Sequence, residues 1–115
     1  MTPESRTRIL MFLREPFPPG VGDLIPRWKE RAASLGTEAI PVFLEMLKEG
    51  RWDEQYSSLL ALREHGYEAW AENYGQDAFY RVRAPSSTVW DEIHPIHPDD
   101  KGFRDASGRW IEPPL

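Results

Sequence analysis

The chain contains no cysteine among its 115 residues, and this absence excludes several kinds of protein chemistry. Disulfide scaffolds, thiol nucleophiles and cysteine-based zinc sites all require the sulfur atom that the sequence lacks. Long hydrophobic runs are also missing, because the densest one, residues 9–13, is far too short to cross a bilayer. Arg14 and Glu15 follow it directly, where a secretory signal would carry a small-residue cleavage site. We therefore predict a cytoplasmic protein without a membrane partner.

Recognisable catalytic motifs are equally scarce. No serine lies in a GxSxG frame, and residues 20–22 lack the final glycine of a dinucleotide-binding loop. Of the three histidines, His65 is explained structurally, because a charged imidazole suits the negative end of the helix that is predicted before it. These observations predict no cofactor and favour a non-enzymatic protein over an enzyme.

The first of two adjacent amphipathic helices is predicted from Thr37, which can cap it, to Gly50. Its apolar residues recur at i, i+3, i+4 and i+7, the stripe of a 3.6-residue period: Ile40, Phe43, Leu44 and Leu47. Pro41 is acceptable only near the start of a helix, where its missing N–H costs little. Gly50 is expected to end the helix in the left-handed conformation.

The second helix is predicted to begin at Asp53, as its cap, and to end at Gly66. Four large residues form its apolar side: Tyr56, Leu59, Leu60 and Leu62. Only Arg51 and Trp52 remain to connect the two helices, so we expect them to be antiparallel and to pack on each other. Such a pair buries one face and offers the other for binding.

Residues 37–66 resemble one unit of the HEAT repeats, which are helical-hairpin solenoid modules. The matching residues are Pro41, Leu44, Leu47, Asp53 and the Ala61-Leu62 pair before Gly66. Gln55 and Tyr56 differ from the pattern, since HEAT-like units usually carry a β-branched residue and an arginine soon after the aspartate. The resemblance implies an antiparallel helical hairpin with a protein-binding face. A full array needs about three units, so a compact helical domain is expected.

Other segments extend the helical prediction. Thr2, Pro3 and Glu4 form a favourable helix opening and predict a helix over residues 3–14, although a strand through residues 9–13 is an alternative. A stripe at helical spacing predicts another helix between residues 23 and 36: Ile25, Trp28, Ala32 and Leu35. After Gly66, Tyr67, Trp70 and Tyr74 lie at helical spacing and predict a short helix. Residues 79–83 alternate like a brief strand.

The predicted fold class is therefore mainly α. Residues 1–84 form a compact antiparallel domain of four short helices, and residues 85–115 form a Pro-rich extended arm packed on it. A turn at residues 105–108 predicts a short β-hairpin in this arm. The large apolar residues of this arm are expected to be buried against the helices: Val89, Trp90, Ile93, Ile96, Phe103, Trp110 and Ile111. The alternative is an accessory subunit whose loose arm docks on its partner.

Charge is distributed unevenly along the sequence. Residues 1–36 hold six Lys/Arg against four Asp/Glu, whereas residues 37–80 hold three against nine. An acidic helix pair repels nucleic-acid phosphates and favours a basic protein partner. Five residues of the pair are predicted to bind that partner: Glu45, Glu49, Trp52, Glu54 and Glu64. An immunity-like or antitoxin-like protein that blocks a basic toxin is one concrete version of this hypothesis.

A metal-dependent hydrolase is the alternative function. Each of His94 and His97 is followed by a proline, and this pattern favours an extended path that places both imidazoles on one side. Asp99 follows closely, and divalent ions accept histidine and aspartate ligands. His94, His97 and Asp99 are thus the candidate metal ligands, although their spacing matches no established zinc signature.

One regularity in the sequence has no evident physical reason. Each of the five tryptophans is followed two positions later by a glutamate. The neighbouring residues differ between the five sites, and so do the predicted structures around them. Most of the tryptophans are expected to lie in the core, as is usual in a small domain.

Overall fold

The computed structural model of the chain describes residues 1–72 and 78–97. Within these residues four α-helices form, namely α1 (Pro3–Arg14), α2 (Leu24–Ser34), α3 (Ile40–Glu49) and α4 (Trp52–Glu64). A 3₁₀ turn, Thr37–Ala39, leads into α3. Strands β1 (Glu68–Glu72), β2 (Phe79–Arg83) and β3 (Asp91–Ile93) form an antiparallel sheet in that order. The predicted mainly α class is confirmed, whereas the hairpin predicted at residues 105–108 lies outside the described residues.

Helix α1 forms where the N-terminal signal predicts it. The Thr2 side chain accepts a hydrogen bond from the Ser5 backbone N–H at 3.1 Å, and Pro3 occupies the first helical position. Ile9, Phe12 and Leu13 are buried along one side of the helix. The alternative of a strand through residues 9–13 is therefore wrong.

Helix α4 is the centre of the molecule, because α1, α2, α3 and β1 all pack against it. Its leucines are buried, but so are Ser57 and Ser58 on the same helix. The predicted apolar side of α4 is narrower than the observed buried surface, because several elements cover this helix. Asp53 lies in the first turn and is not the cap, because α4 begins one residue earlier, at Trp52.

Gly50 follows α3 as predicted, but it does not take the predicted left-handed conformation. Its φ of −80° and ψ of 169° are extended, so the left-handed conformation is not used. A Cβ atom on residue 50 would lie 2.6 Å from the Met46 carbonyl oxygen and 2.8 Å from the Glu54 Cβ. Glycine is needed here because the start of α4 approaches the end of α3 too closely for any side chain.

The helix predicted after Gly66 is a strand. Gly66 itself takes the left-handed conformation, with φ of 83°, and ends α4 as predicted. In β1, Ala69 points into the core while Trp70 lies on the opposite side, which is the two-residue alternation of a strand. The spacing of Tyr67, Trp70 and Tyr74 was misleading because only Trp70 is within β1, and Tyr74 lies outside the described residues.

The brief strand predicted over residues 79–83 is confirmed as β2. Tyr80 and Val82 are buried, and they pair with Ala71 and Ala69 of β1. The inner side of the sheet thus packs on α4, while the alternate residues of each strand form an outer side. On the other side of β2, Ile93 pairs with Tyr80 and so connects the arm to the sheet.

The described part of the arm, residues 85–97, packs unevenly. Ile93 is half-buried against the core, and Trp90 is half-buried on the sheet. Val89 and Ile96, by contrast, are 63% and 56% exposed, so the expected burial of these two residues is wrong. Phe103, Trp110 and Ile111 lie outside the described residues. None of the helices found in residues 1–72 and 78–97 is both long and apolar enough to span a membrane.

Candidate protein-binding surface

Glu45 and Glu54, two of the residues predicted to bind a partner, are used inside the chain. The Arg6 guanidinium donates to Glu45 at 2.6 Å and so connects α1 to α3. Glu54 is only 8% exposed, and one of its oxygens accepts a hydrogen bond from Arg14 Nε at 2.9 Å. The other oxygen accepts from the Arg51 backbone N–H at 2.9 Å, which satisfies a free donor at the start of α4.

The other predicted residues lie at two places on the helix pair. Glu49 is exposed at the end of α3, and Trp52 is half-buried against Tyr56, with 4.8 Å between ring centroids. Both are thus beside the connection between the helices, as is Glu54. Glu64 is half-buried in the last turn of α4, ten residues beyond Glu54 and about 15 Å along the helix at 1.5 Å per residue.

A more concentrated group lies on the sheet. The outer sheet face is defined by six side chains from β1, from β2 and from the two residues that flank β3: Trp70, Phe79, Arg81, Arg83, Trp90 and His94. The rings of Trp70 and Trp90 pack with centroids 4.6 Å apart. The guanidinium carbons of Arg83 and Arg81 lie 4.8 and 5.3 Å from the Trp90 centroid, in the range of cation–π contacts.

The opposite end of the outer sheet face is also aromatic. The His94 imidazole stacks on the Phe79 ring at 4.9 Å, with 20° between the ring planes. At its centre, Trp70 Nε1 donates a hydrogen bond to a Glu72 oxygen at 2.7 Å. This bond explains one of the five Trp-x-Glu pairs, because residues two apart on a strand lie on the same side.

Three carboxylates share this face with the aromatic residues, because Glu68, Glu72 and Glu92 pair in register with Arg83, Phe79 and Arg81. Their side chains are 52%, 39% and 59% exposed. Those of Arg81 and Arg83 are 37% and 31% exposed, and both lie against Trp90. Arg83 pairs with Glu68, and Arg81 lies 3.9 Å from Glu72. The surface thus combines aromatic rings with three glutamates and two arginines, and Glu68 and Glu92 are more exposed than either arginine.

The predicted metal ligands are described only in part, because Asp99 lies outside the described residues. His94 Nε2 lies 3.5 Å from a Glu92 oxygen while its ring stacks on Phe79. The His97 carbonyl oxygen accepts a hydrogen bond from Gln55. Within residues 1–72 and 78–97, no three His, Asp or Glu side chains come together in a way that could bind a metal ion. The hydrolase alternative therefore stays a prediction.

A buried polar group, the Gln55 network, links the sheet, the helix pair and the arm. Tyr80 donates its hydroxyl to Gln55 Oε1 at 2.6 Å, and burial raises the pKa of this phenol far above its ordinary value, so it stays a donor. Gln55 Nε2 donates to the Gly50 carbonyl at 2.8 Å and to the His97 carbonyl at 3.0 Å. One side chain therefore satisfies groups from three parts of the fold.

Comparison with protein-family models, with curated proteins and with solved structures found no match to this chain. The outer sheet face was missed by sequence reasoning because Trp70 was assigned to a helix. The Trp-x-Glu spacing at Trp70 and Trp90 was the available signal, since it fits a strand whose exposed side alternates aromatic and acidic residues.

Proposed function

We propose that the protein is a non-enzymatic protein-binding module that docks a basic partner protein on its outer sheet face. The observation that carries this proposal is the contact of Trp70 with Trp90 at 4.6 Å, surrounded by accessible carboxylates. The helix pair then supports the sheet, and its resemblance to a HEAT unit stays a prediction about its ancestry and shape.

The composition of the face supports protein binding. Tryptophan and arginine dominate the energetically important positions of protein interfaces, where they lie near the centre of the contact. The Trp70 side chain is already held by its hydrogen bond to Glu72 and its contact with Trp90, so little conformational freedom is lost when it is covered. The arginine contacts with Trp90 also hold that ring in place on the face.

The charge of the rim indicates the class of partner. Interfaces commonly have an apolar centre and a polar, solvated rim. Here three glutamates, Glu68, Glu72 and Glu92, outnumber the two arginines of the face, and the whole chain carries a formal charge of −5. Acidic rims speed association with basic proteins and repel nucleic-acid phosphates. An immunity-like or antitoxin-like role against a basic toxin is a concrete form of this proposal.

Affinity capture followed by calorimetry tests the proposal. The full chain would be used to capture its partner from its own organism, and the partner would be identified by mass spectrometry and then purified. Titration of the partner with the wild type and with Trp70→Ala should show a loss of affinity of at least about 30-fold for the variant, since a central tryptophan contributes 2 kcal/mol or more. Val89→Ala is the matched control, because Val89 neighbours Trp90 but is 63% exposed.

Two results would contradict the proposal. The first is a captured partner whose affinity is the same for the wild type and for a folded Trp70→Ala protein. The second is a partner without net positive charge whose binding does not weaken as salt is added, because screening must reduce attraction between opposite charges.

A further inference from the structure

We propose that the Gln55 network is a positioning device that fixes the arm and thereby completes the outer sheet face. The arm contributes Trp90 and His94 to that face, and the network bonds the arm again just beyond them, at His97. The role of the network in binding rests on the proposed function. The attachment of the arm does not, and it can be measured in the free protein.

Gln55 is well suited to this role by its chemistry. Its side-chain amide can donate two hydrogen bonds while its oxygen accepts others. The residue is 4% exposed, and its amide bonds the Gly50 and His97 carbonyls while its oxygen accepts from Tyr80. A buried network of this kind is cooperative, because loss of one member leaves the others unsatisfied.

A backbone hydrogen bond beside the network fastens the arm at a second point. The Ile96 N–H donates to the Lys48 carbonyl at 2.7 Å, two residues before Gly50. Ile96 itself is 56% exposed, so apolar burial of its side chain does not hold this part of the arm. Residues 96 and 97 are therefore held against the end of α3 by hydrogen bonds to Lys48 and Gln55.

The arm is consequently attached at two separate places. Around Trp90 it lies on the sheet, and at residues 96 and 97 it is bonded to Lys48 of α3 and Gln55 of α4. Local opening is governed by such small sets of contacts, and amide exchange measures it directly. Removal of the Gln55 bonds should free residues 96 and 97 first and then loosen β3.

Hydrogen exchange on the full free chain tests the inference without any partner. Gln55→Met keeps the volume of the side chain and removes its hydrogen bonds, and we expect exchange of the Ile96 amide to rise at least about tenfold. Tyr80→Phe should give a smaller rise, because the two carbonyl bonds of Gln55 remain. Glu49→Gln is the control, since Glu49 is exposed next to Gly50 and should leave exchange unchanged. Amides of α1 should remain protected throughout.

Unchanged exchange at Ile96 in a folded Gln55→Met protein would overturn the inference. Should that variant not fold, Gln55→Glu decides, because an ionised carboxylate still accepts from Tyr80 but cannot donate to the His97 carbonyl. An unaltered Ile96 amide in that protein would overturn the inference equally. Because neither measurement involves a partner, a failure here is distinguishable from a failure of the proposed docking function. The docking function can likewise fail alone, because Gln55 can hold the arm even if the outer sheet face binds no basic protein.

Discussion

The helix pair and the sheet both carry tryptophan and carboxylates, but they differ in how exposed the carboxylates are. In the helix pair, Glu45 and Glu54 bind Arg6 and Arg14 of the first helix, and their side chains are 35% and 11% exposed. On the sheet, Glu68 and Glu72 pair with arginines of the same face, but Glu68 and Glu92 remain 52% and 59% exposed beside the tryptophans. The same residue types thus hold the fold together in one region and form a surface in the other.

This difference changes the meaning of the charge asymmetry along the chain. The basic N-terminal segment and the acidic helix pair are complementary, and part of that complementarity is satisfied by α1 packing on α3 and α4. An acidic segment therefore need not indicate an external basic partner. The charges that remain accessible must be located in three dimensions before a partner is inferred from them.

The largest expected effect concerns the buried carboxylate of the helix pair. Glu54→Ala removes the bonds to the Arg51 amide and to Arg14, and we expect a loss of about 2–3 kcal/mol in the free energy of unfolding. Glu49→Ala, on the same pair but exposed, should change it by less than about 0.5 kcal/mol. Urea denaturation of both variants measures the contrast. Equal free energies of unfolding for the two variants would contradict a structural role for Glu54.

The next effect compares one tryptophan from each region. Trp90→Ala should weaken binding of the partner by about 30-fold, because it removes the centre of the outer sheet face. Trp52→Ala, in the helix pair, should leave the affinity within about twofold. Calorimetric titration of the purified partner gives both values. A greater loss for Trp52→Ala would move the docking surface to the helix pair.

Removal of negative charge is expected to have a smaller effect on binding. Replacement of Glu68, Glu72 and Glu92 by glutamine should slow association about 5- to 10-fold at low salt, with little difference at high salt. Glu49→Gln combined with Glu64→Gln should alter it less than twofold. Stopped-flow kinetics at several salt concentrations provides the measurement. A stronger effect from the helix-pair variants would restore the prediction made from charge alone.

The smallest effect lies inside α4. The hydroxyl of Ser58 is buried and has no hydrogen-bond partner among the described residues. Ser58→Ala removes this unsatisfied group and improves helix propensity, so we expect about 0.5 kcal/mol of added stability. Ser34→Ala, at an exposed position on α2, is the control and should give less. Thermal unfolding tests the difference, and a destabilised Ser58→Ala would indicate an additional partner for the hydroxyl.

Periodicity along the sequence predicts the positions of α2, α3 and α4, but not always the buried side. The stripe of α2 contains its buried residues Trp28 and Ala32. In α3 the buried residues also include Val42 and Met46, which lie outside the predicted stripe. Helix α4 was placed correctly but its surroundings were not, since burial on several sides is a property of the packed molecule. The left-handed conformation predicted for Gly50 is also wrong. The close contacts that require glycine, with Met46 and Glu54, exist only after both helices form.

The candidate site was hardly visible in the sequence. Trp70 fits a helical spacing as well as a strand alternation, and pairing with β2 decides between them. The contact of Trp90 with Trp70 joins residues twenty positions apart, and the bond between Gln55 and His97 joins residues still farther apart. Contacts of this range depend on the path of the arm, which local patterns do not encode.

Side-chain footprinting of the complex tests the central claim most directly. Tryptophan oxidation would be measured in the free chain and with the purified partner bound, at Trp70 and Trp90 on the sheet and at Trp52 on the helix pair. Our account predicts strong protection of Trp70 and Trp90 and an unchanged rate at Trp52. Protection of Trp52 with unaltered oxidation of the two sheet tryptophans would contradict it.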